Sequence, residues 1–540
     1  MKNYLAILVA LIPAFTFAQG VWTADRGDGT YRNPVLFADY SDPDVIRTGD
    51  DYWMTASSFS CVPGLQILHS TDLVNWEIVN AALPRMYDAA FDTPQHGNGV
   101  WAPAIRFHDG WYYIYWGDPD RGVYMVRSED PRGVWTEPLL VKAARGIIDT
   151  CPLWDDDGRA YLVHGWAGSR AGFNSILTVS EMVPDGSRLV GEEVLIFDGH
   201  DVHPTVEGPK FYKRNGYYYV FAPAGGVKPG WQLVLRSRSP WGPYECRTVL
   251  HQGDTATPGP HQGAWVEDTA GDSWFVHFVD RYAYGRVVYL QPMIWSDDDW
   301  CIVGIDRNGD GVGEPVETFR KPASRVPSVV KTPAKSDEFT GRMLGLQWQW
   351  PANPQTGWYF CNPSDGRLRL MCVQNPEGWH NLWDTPNLML QKIAAPDCTI
   401  TTKVAFRGAY EGDRAGVVVM GTDYAVLAVE LRGGKLALVQ SECSGADKGA
   451  PETVHASVPF VGSDVWLRCC IKYKENLDNT PRMECRFAYS TDGERFHPFG
   501  RPFTGCESRW IGAKAGCFAT AELRKNDGGW LDIDWFRVTE

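Results

Sequence analysis

Asp109-Gly110-Trp111-Tyr112 is a turn signal that runs directly into an aromatic-rich strand, and the first 300 residues carry five versions of it. The others are Asp51-Tyr52-Trp53, Asp157-Gly158-Arg159-Ala160-Tyr161, Asn215-Gly216-Tyr217-Tyr218 and Gly271-Asp272-Ser273-Trp274. Successive copies lie 58, 48, 58 and 56 residues apart. Such a period is the length of one four-stranded antiparallel blade with generous loops, so it predicts a five-bladed β-propeller. If the aromatic strand is the second of its blade, the segment eight to ten residues upstream belongs to the innermost strand, which lines the central channel. The residues at that offset are Asp42, Trp101, Asp149, Glu207 and His261. Three of the five are acids, and a purely structural acid has no reason to keep phase with a blade repeat.

Working outward, the repeats occupy residues 31 to about 320, and each has a further strand after the aromatic one, such as Leu65 to Trp76 or Val287 to Trp295. Lys321-Pro322-Ala323-Ser324-Arg325-Val326-Pro327 through Thr332-Pro333-Ala334-Lys335 is polar and broken by proline, as a linker is, which places the propeller in 19–330 and a second domain in 336–540. There, alternating runs at Cys398 to Phe406, Ala415 to Met420, Tyr424 to Leu431, Lys435 to Val439 and Val465 to Tyr473 predict a β-sandwich, with Trp530 to Val538 as its final strand. The chain is therefore expected to be all-β, at a length that calls for two domains.

Aromatic residues make up 13% of the 540 residues, with 24 Trp and 23 Tyr. They suit strand faces and also offer flat surfaces to the apolar face of a sugar ring. A formal net charge of -15 and the absence of a basic stripe exclude a nucleic-acid backbone as partner. Met1-Lys2, the apolar run Tyr4 to Phe17 and Ala18 before Gln19 read as a secretory signal peptide over residues 1–18, so a periplasmic or secreted protein without a membrane span is expected. Thirteen cysteines, nine of them beyond the propeller and none in a CxxC pair, are not a disulfide scaffold, although the second domain has enough for one or two bridges.

The wording around the acids is similar to that of a known family. Asn33-Pro34-Val35-Leu36, Ser41-Asp42-Pro43-Asp44, Val62-Pro63-Gly64 and His69-Ser70-Thr71-Asp72-Leu73-Val74-Asn75-Trp76 resemble the amino-terminal blade of glycoside hydrolase family 43. Gly99-Val100-Trp101-Ala102-Pro103, Ile148-Asp149, Val206-Glu207-Gly208-Pro209 and Gly285-Arg286 follow in the same order. Ser336-Asp337-Glu338-Phe339 and Leu346-Gln347-Trp348-Gln349-Trp350 resemble the concanavalin-like sandwich of that family's β-xylosidase and α-L-arabinofuranosidase branch. The resemblance implies an inverting glycosidase with Asp42 as general base, Glu207 as general acid, and Asp149 as a third acid that orients the proton donor and raises its pKa. It also implies Trp101 stacked on the sugar beside Phe59, Arg286 donating to sugar hydroxyls, and His261 beneath the acid.

Each residue has a plainer reading when taken alone. Asp42 precedes Pro43 and serves as a turn opener, Glu207 precedes a Gly-Pro turn, and Trp101 and His261 fit a packed core. Common phase and the family's wording decide for chemistry. Through the wording of Ser57 to Gly64 and Gly225 to Gln232 the resemblance implies an exo-acting α-L-arabinofuranosidase on plant hemicellulose or pectin side chains, ahead of a β-xylosidase and of a non-catalytic sugar-binding propeller. No cofactor is needed for that chemistry. Separately, Asp306, Asn308, Asp310 and Glu317 match the oxygen positions of a calcium loop with Gly311 at position six, a spacing that a plain Asp/Gly turn fits as well.

Overall fold

In the computed structural model, which describes residues 21–522 and 528–540, five four-stranded antiparallel sheets follow one another around a ring. The expected leader lies outside the described residues. Blade I comprises Asp44–Thr48, Asp51–Thr55, Gly64–Ser70 and Glu77–Leu83, and blade II comprises Trp101–His108, Trp111–Asp118, Gly122–Ser128 and Leu139–Ala143. Blades III, IV and V begin with Ile147–Trp154, Lys210–Arg214 and His261–Glu267. Each sheet uses four strands that are consecutive in sequence, so no blade borrows a strand from the far end of the chain. The ring is closed instead by a separate two-stranded sheet, Thr30–Arg32 against Thr318–Arg320, and by Asn33, whose Nδ2 donates to the carbonyls of Leu290 and Val316.

The aromatic strand earns its composition by serving two gaps at once. Side chains alternate across a strand. Tyr112, Ile114 and Trp116 therefore pack against blade I, while Tyr113 and Tyr115 pack against blade III. The same alternation fills all five gaps, for example with Tyr52 and Met54 between blades V and I. Much of the propeller's aromatic content is thus inter-blade core.

Beyond a stretch without regular structure over 321–336, two sheets stack as a β-sandwich. One contains Arg367–Met371, Trp530–Thr539, Cys398–Arg407, Asp464–Glu475 and Pro481–Ser490 in spatial order, and the other contains Lys514–Ala521, Arg414–Met420, Tyr424–Arg432, Lys435–Cys443 and Thr453–Pro459. Their core continues into the propeller through Val279, Ala283, Tyr284, Val287 and Tyr289 of blade V. Polar backbone joins the two as well: Val62 and Trp350 exchange both N–H···O bonds at 2.9 and 2.7 Å. All thirteen cysteines are free thiols, so neither of the bridges that the second domain could hold is present. Among the described residues no helix is long and apolar enough to cross a membrane.

Candidate active site

The common phase of the upstream residues has a backbone cause. At the start of each innermost strand one residue takes a left-handed conformation: Asp42 (φ 55°), Ala102 (36°), Asp149 (59°), Gly208 (60°) and Gln262 (35°). In blades II, III and V the strand pairing also slips there. A bulge with one left-handed residue bends a strand and re-aims a side chain, at a cost of about 1–3 kcal/mol for a non-glycine residue. Repeated five times, it turns Asp42, Trp101, Asp149, Glu207 and His261 toward the same mouth of the channel. At Gly208 a β-carbon would stand 2.6 Å from the side chain of Gln262, which restricts that blade to glycine.

The three acids are brought together, in unlike surroundings. Asp42 is buried, and its Oδ2 accepts from Ser41 Oγ at 2.7 Å and from Ser57 Oγ at 2.5 Å. Arg286 Nη1 stands 3.6 Å from Asp42 Oδ1 and donates to Ser41 Oγ at 2.7 Å. Asp149 is 4% exposed and accepts one backbone bond, from Gly208 N at 2.7 Å, which fixes the residue immediately after Glu207. Burial first, then the negative charges of Glu207 and Asp42, push the Asp149 carboxyl well above the usual carboxylate range. Both other acids therefore lie close enough to act on it. Glu207 keeps 30% of its side chain exposed, against 8% for Asp42, and is the acid that solvent reaches most freely. His261 lies under it, with Nε2 3.3 Å from Glu207 Oε1 but without the alignment of a hydrogen bond.

Trp101 and Phe59 meet edge to face at 6.2 Å, and the indole N–H of Trp101 is tethered to the carbonyl of Gly97 at 2.9 Å. A third ring joins them from the sandwich. Trp510, half exposed, meets Trp101 edge to face at 5.7 Å and lies 5.8 Å from the Arg286 guanidinium. Its loop is held by Gly512 N donating to Asp39 Oδ2 and by Ala513 N donating to the carbonyl of Ala283, while Asp39 Oδ1 accepts from Arg286 N. A cavity of about 520 Å³ opens here between Arg170, Lys228, Tyr282, Arg286, Glu507 and Trp510.

Sequence reasoning missed Ser57, Asp39, Arg170 and Trp510. Ser57 sits in the quoted Ser57 to Gly64 segment, but nothing linked it to Asp42; Trp510 has no phase with the blade repeat and reaches the site only because the two domains pack. The calcium pattern reads differently in three dimensions. Asp306 accepts from Gly309 N and Gly311 N, and Asp310 accepts from Val312 N, in an exposed turn. Among the described residues no group of three or more His, Cys, Asp or Glu is gathered so as to hold a metal ion, and Glu317 does not complete one with Asp306 and Asp310.

Residues 31–301 match the model for Glycosyl hydrolases family 43, and residues 336–539 match the beta xylosidase C-terminal concanavalin A-like domain. The chain belongs to glycoside hydrolase family 43. This family 43 enzyme is 38% identical to a putative beta-xylosidase of Xylanibacter ruminicola, over 92% of its own length and 87% of the relative's. It is 30% identical to the non-reducing end alpha-L-arabinofuranosidase BoGH43B of Bacteroides ovatus, over 82% of each chain. Among solved structures, a Bacteroides ovatus protein described as Xyloglucan PUL GH43B superposes with a TM-score of 0.78 at 26% identity, covering 94% of this enzyme and 99% of that chain.

Proposed function

We propose that this glycoside hydrolase is an exported, inverting, exo-acting β-D-xylosidase that releases terminal xylosyl units from the non-reducing ends of xylo-oligosaccharides. The observation that carries the reading is the trio of acids at one mouth of the channel, each with a different set of partners. Asp42, held by two hydroxyls and faced by Arg286, is placed as the base that takes a proton from the attacking water. Glu207, the most exposed of the three, is the acid that protonates the leaving oxygen. Blades I and IV are not neighbours in the ring, which suits the roughly 6.5–9.5 Å an inverting pair needs to admit a water. Asp149 acts through Glu207, by fixing Gly208 and by adding a carboxyl whose proton is hard to remove. No cofactor enters this exchange between two side chains and water. A pocket walled on one side by Trp510 favours a chain end over a chain interior.

The choice of xylose takes the second of the two activities that the resemblance implied, ahead of the arabinose preference carried by the wording around Ser57 and Gly225. The relative at 38% identity is named for β-xylosidase activity, as is one from Formosa agariphila at 30%. α-L-Arabinofuranosidase is the second reading, on the strength of the Bacteroides ovatus relative.

Proton NMR of the first-formed anomer, with paired nitrophenyl β-D-xyloside and α-L-arabinofuranoside substrates, tests the proposal. Inverted xylose released faster than arabinose is the expected result. Retention of configuration, or turnover of neither substrate, would remove it, and faster arabinose release would promote the second reading. A mature amino terminus at Gln19, read by mass spectrometry of exported protein, tests the export. A structural calcium at the Asp306 turn is a separate proposition, and calcium calorimetry that gives neither heat nor a change in Tm disposes of it.

A further inference from the structure

Lys392 and Lys514 face each other directly across the antiparallel strands Met389–Lys392 and Lys514–Ala521, a placement in which like charges repel. Lys514 is 5% exposed, and Lys392 lies with its amine 4.9 Å over the ring of Tyr40. The acceptors available to the two amines are uncharged. Lys392 Nζ donates to Gln66 Oε1 at 2.9 Å and Gln349 Oε1 at 3.1 Å, while Lys514 Nζ reaches Gln349 Oε1 at 2.8 Å and Cys61 Sγ at 3.0 Å. Among the described residues neither amine has a carboxylate within ion-pair distance; Asp39 acts on Lys392 only through space. Two buried ammoniums without a counter-ion are costly. Burial, then Lys514, lowers Lys392 to about 7.

The thiol at this node is equally unusual in its position. Cys61 belongs to the propeller, two residues beyond Phe59, and Lys514 belongs to the sandwich, four residues beyond Trp510. A cavity of about 30 Å³ adjoins both, with Gln349, Phe59 and Ser508 among its walls. That is room for one small molecule, since one water needs about 10–15 Å³.

We propose that Cys61 and Lys514 become joined through a single oxygen atom, Sγ–O–Nζ, when the protein meets dioxygen, so that a covalent bridge ties the propeller to the sandwich beside the active site. The thiol gives up its S–H hydrogen and Lys514, reacting as the free amine, one N–H hydrogen; one atom of dioxygen enters between sulfur and nitrogen and the other leaves as water with both hydrogens. Sulfur and nitrogen are each oxidised by two electrons and dioxygen takes up all four. The 3.0 Å separation suits a one-atom bridge, whereas a direct S–N bond would require the two atoms to close by more than an ångström. Cys61 is the thiol singled out because its sulfur is in hydrogen-bond contact with a lysine amine, at 3.0 Å.

Intact-mass measurement and non-reducing peptide mapping of the full chain after aerobic purification decide the matter. The expected mass is that of the reduced chain plus one oxygen less two hydrogens, with one cross-linked peptide pair containing Cys61 and Lys514. Dithiothreitol should restore the reduced mass, free Cys61 for alkylation and lower Tm by a few degrees, as expected on releasing a long-range cross-link. The gain should vanish in Cys61→Ser and in Lys514→Met. Full alkylation of Cys61 in denatured, unreduced protein would overturn the proposal, and so would Cys61 found as a sulfinic acid, in a disulfide, or linked to Lys392.

Discussion

Asp42 and Asp149 occupy equivalent places in blades I and III with nearly the same left-handed backbone, φ 55° and 59°, yet their side chains live in opposite electrostatic settings. Asp42 receives two hydroxyl bonds on one oxygen and has a guanidinium 3.6 Å from the other. Asp149 receives one amide bond and faces two further acids. The repeat thus fixes where a side chain points, and the loops between repeats fix what it can do there. An acid surrounded by donors is suited to taking a proton from water; an acid surrounded by acids is suited to holding one.

The sharpest way to break the comparison is to remove the charge from each without changing the shape. Asparagine tolerates the left-handed region, so Asp42→Asn and Asp149→Asn should both fold. Loss of a general base costs about 10²–10⁴ in rate, so kcat for Asp42→Asn is expected to fall by about a thousandfold, measured on an aryl xyloside. If Asp42→Asn retains a tenth of the activity, the assignment of the base is wrong.

Asp149→Asn is expected to lose less, about a hundredfold in kcat, because its carboxyl acts on Glu207 rather than on water. It should also gain stability. The Asp149 proton is bound more tightly in the folded chain than in the unfolded one, where the carboxyl titrates at about 3.9. That contribution is complete below about pH 4 and is lost as pH rises through the elevated folded-state value, so at neutral pH the wild-type carboxyl carries a penalty that asparagine does not. Calorimetry should give a higher Tm for Asp149→Asn than for wild type at neutral pH, with the gain shrinking toward pH 4. A Tm that falls equally at both pH values would mean that the Gly208 bond outweighs the charge.

How far the sequence carries such a comparison depends on the range of the signal. The five blades, the strand that opens each of them and the five residues at its mouth were legible because a turn followed by an aromatic strand is local and repeats. The left-handed residue behind the common phase was not, since it falls on Asp, Ala and Gln as well as Gly and leaves no composition signal at Ala102 or Gln262. Ser57 was illegible for a different reason: its hydroxyl means nothing until the chain folds back to place it 2.5 Å from Asp42. The two thiol bridges left open for the sandwich failed because its cysteines are dispersed on strand faces as small apolar residues, as buried free cysteines are.

Ser57→Ala sharpens the Asp42 side alone. It deletes one of two hydroxyl bonds to the carboxylate and also the acceptor of the Ala102 amide at 2.7 Å. A hydrogen bond to a charged group contributes about 1.5–3 kcal/mol, so a loss of about tenfold or somewhat more in kcat/KM is expected. Loss as large as that of Asp42→Asn would show that Ser57 holds the whole blade mouth rather than one oxygen.

Trp510 shares the left-handed conformation of the two aspartates, φ 64°, but stands on the sandwich, outside the repeat, and carries no proton to exchange. It therefore separates position from chemistry. Its ring meets Trp101 and lies near Arg286 while remaining half exposed, so truncation removes a wall of the pocket and little of the buried core. Aromatic contacts of this kind contribute about 0.5–1.5 kcal/mol beyond the area they bury. Trp510→Ala is accordingly expected to raise KM for xylo-oligosaccharides several-fold and to leave kcat within about twofold of wild type, the pattern of an interaction made equally in ground and transition states. A fall in kcat with KM unchanged would place Trp510 on the side of Asp42 and Asp149, as a group that orients the reacting atoms, and the sandwich would then take part in the chemical step.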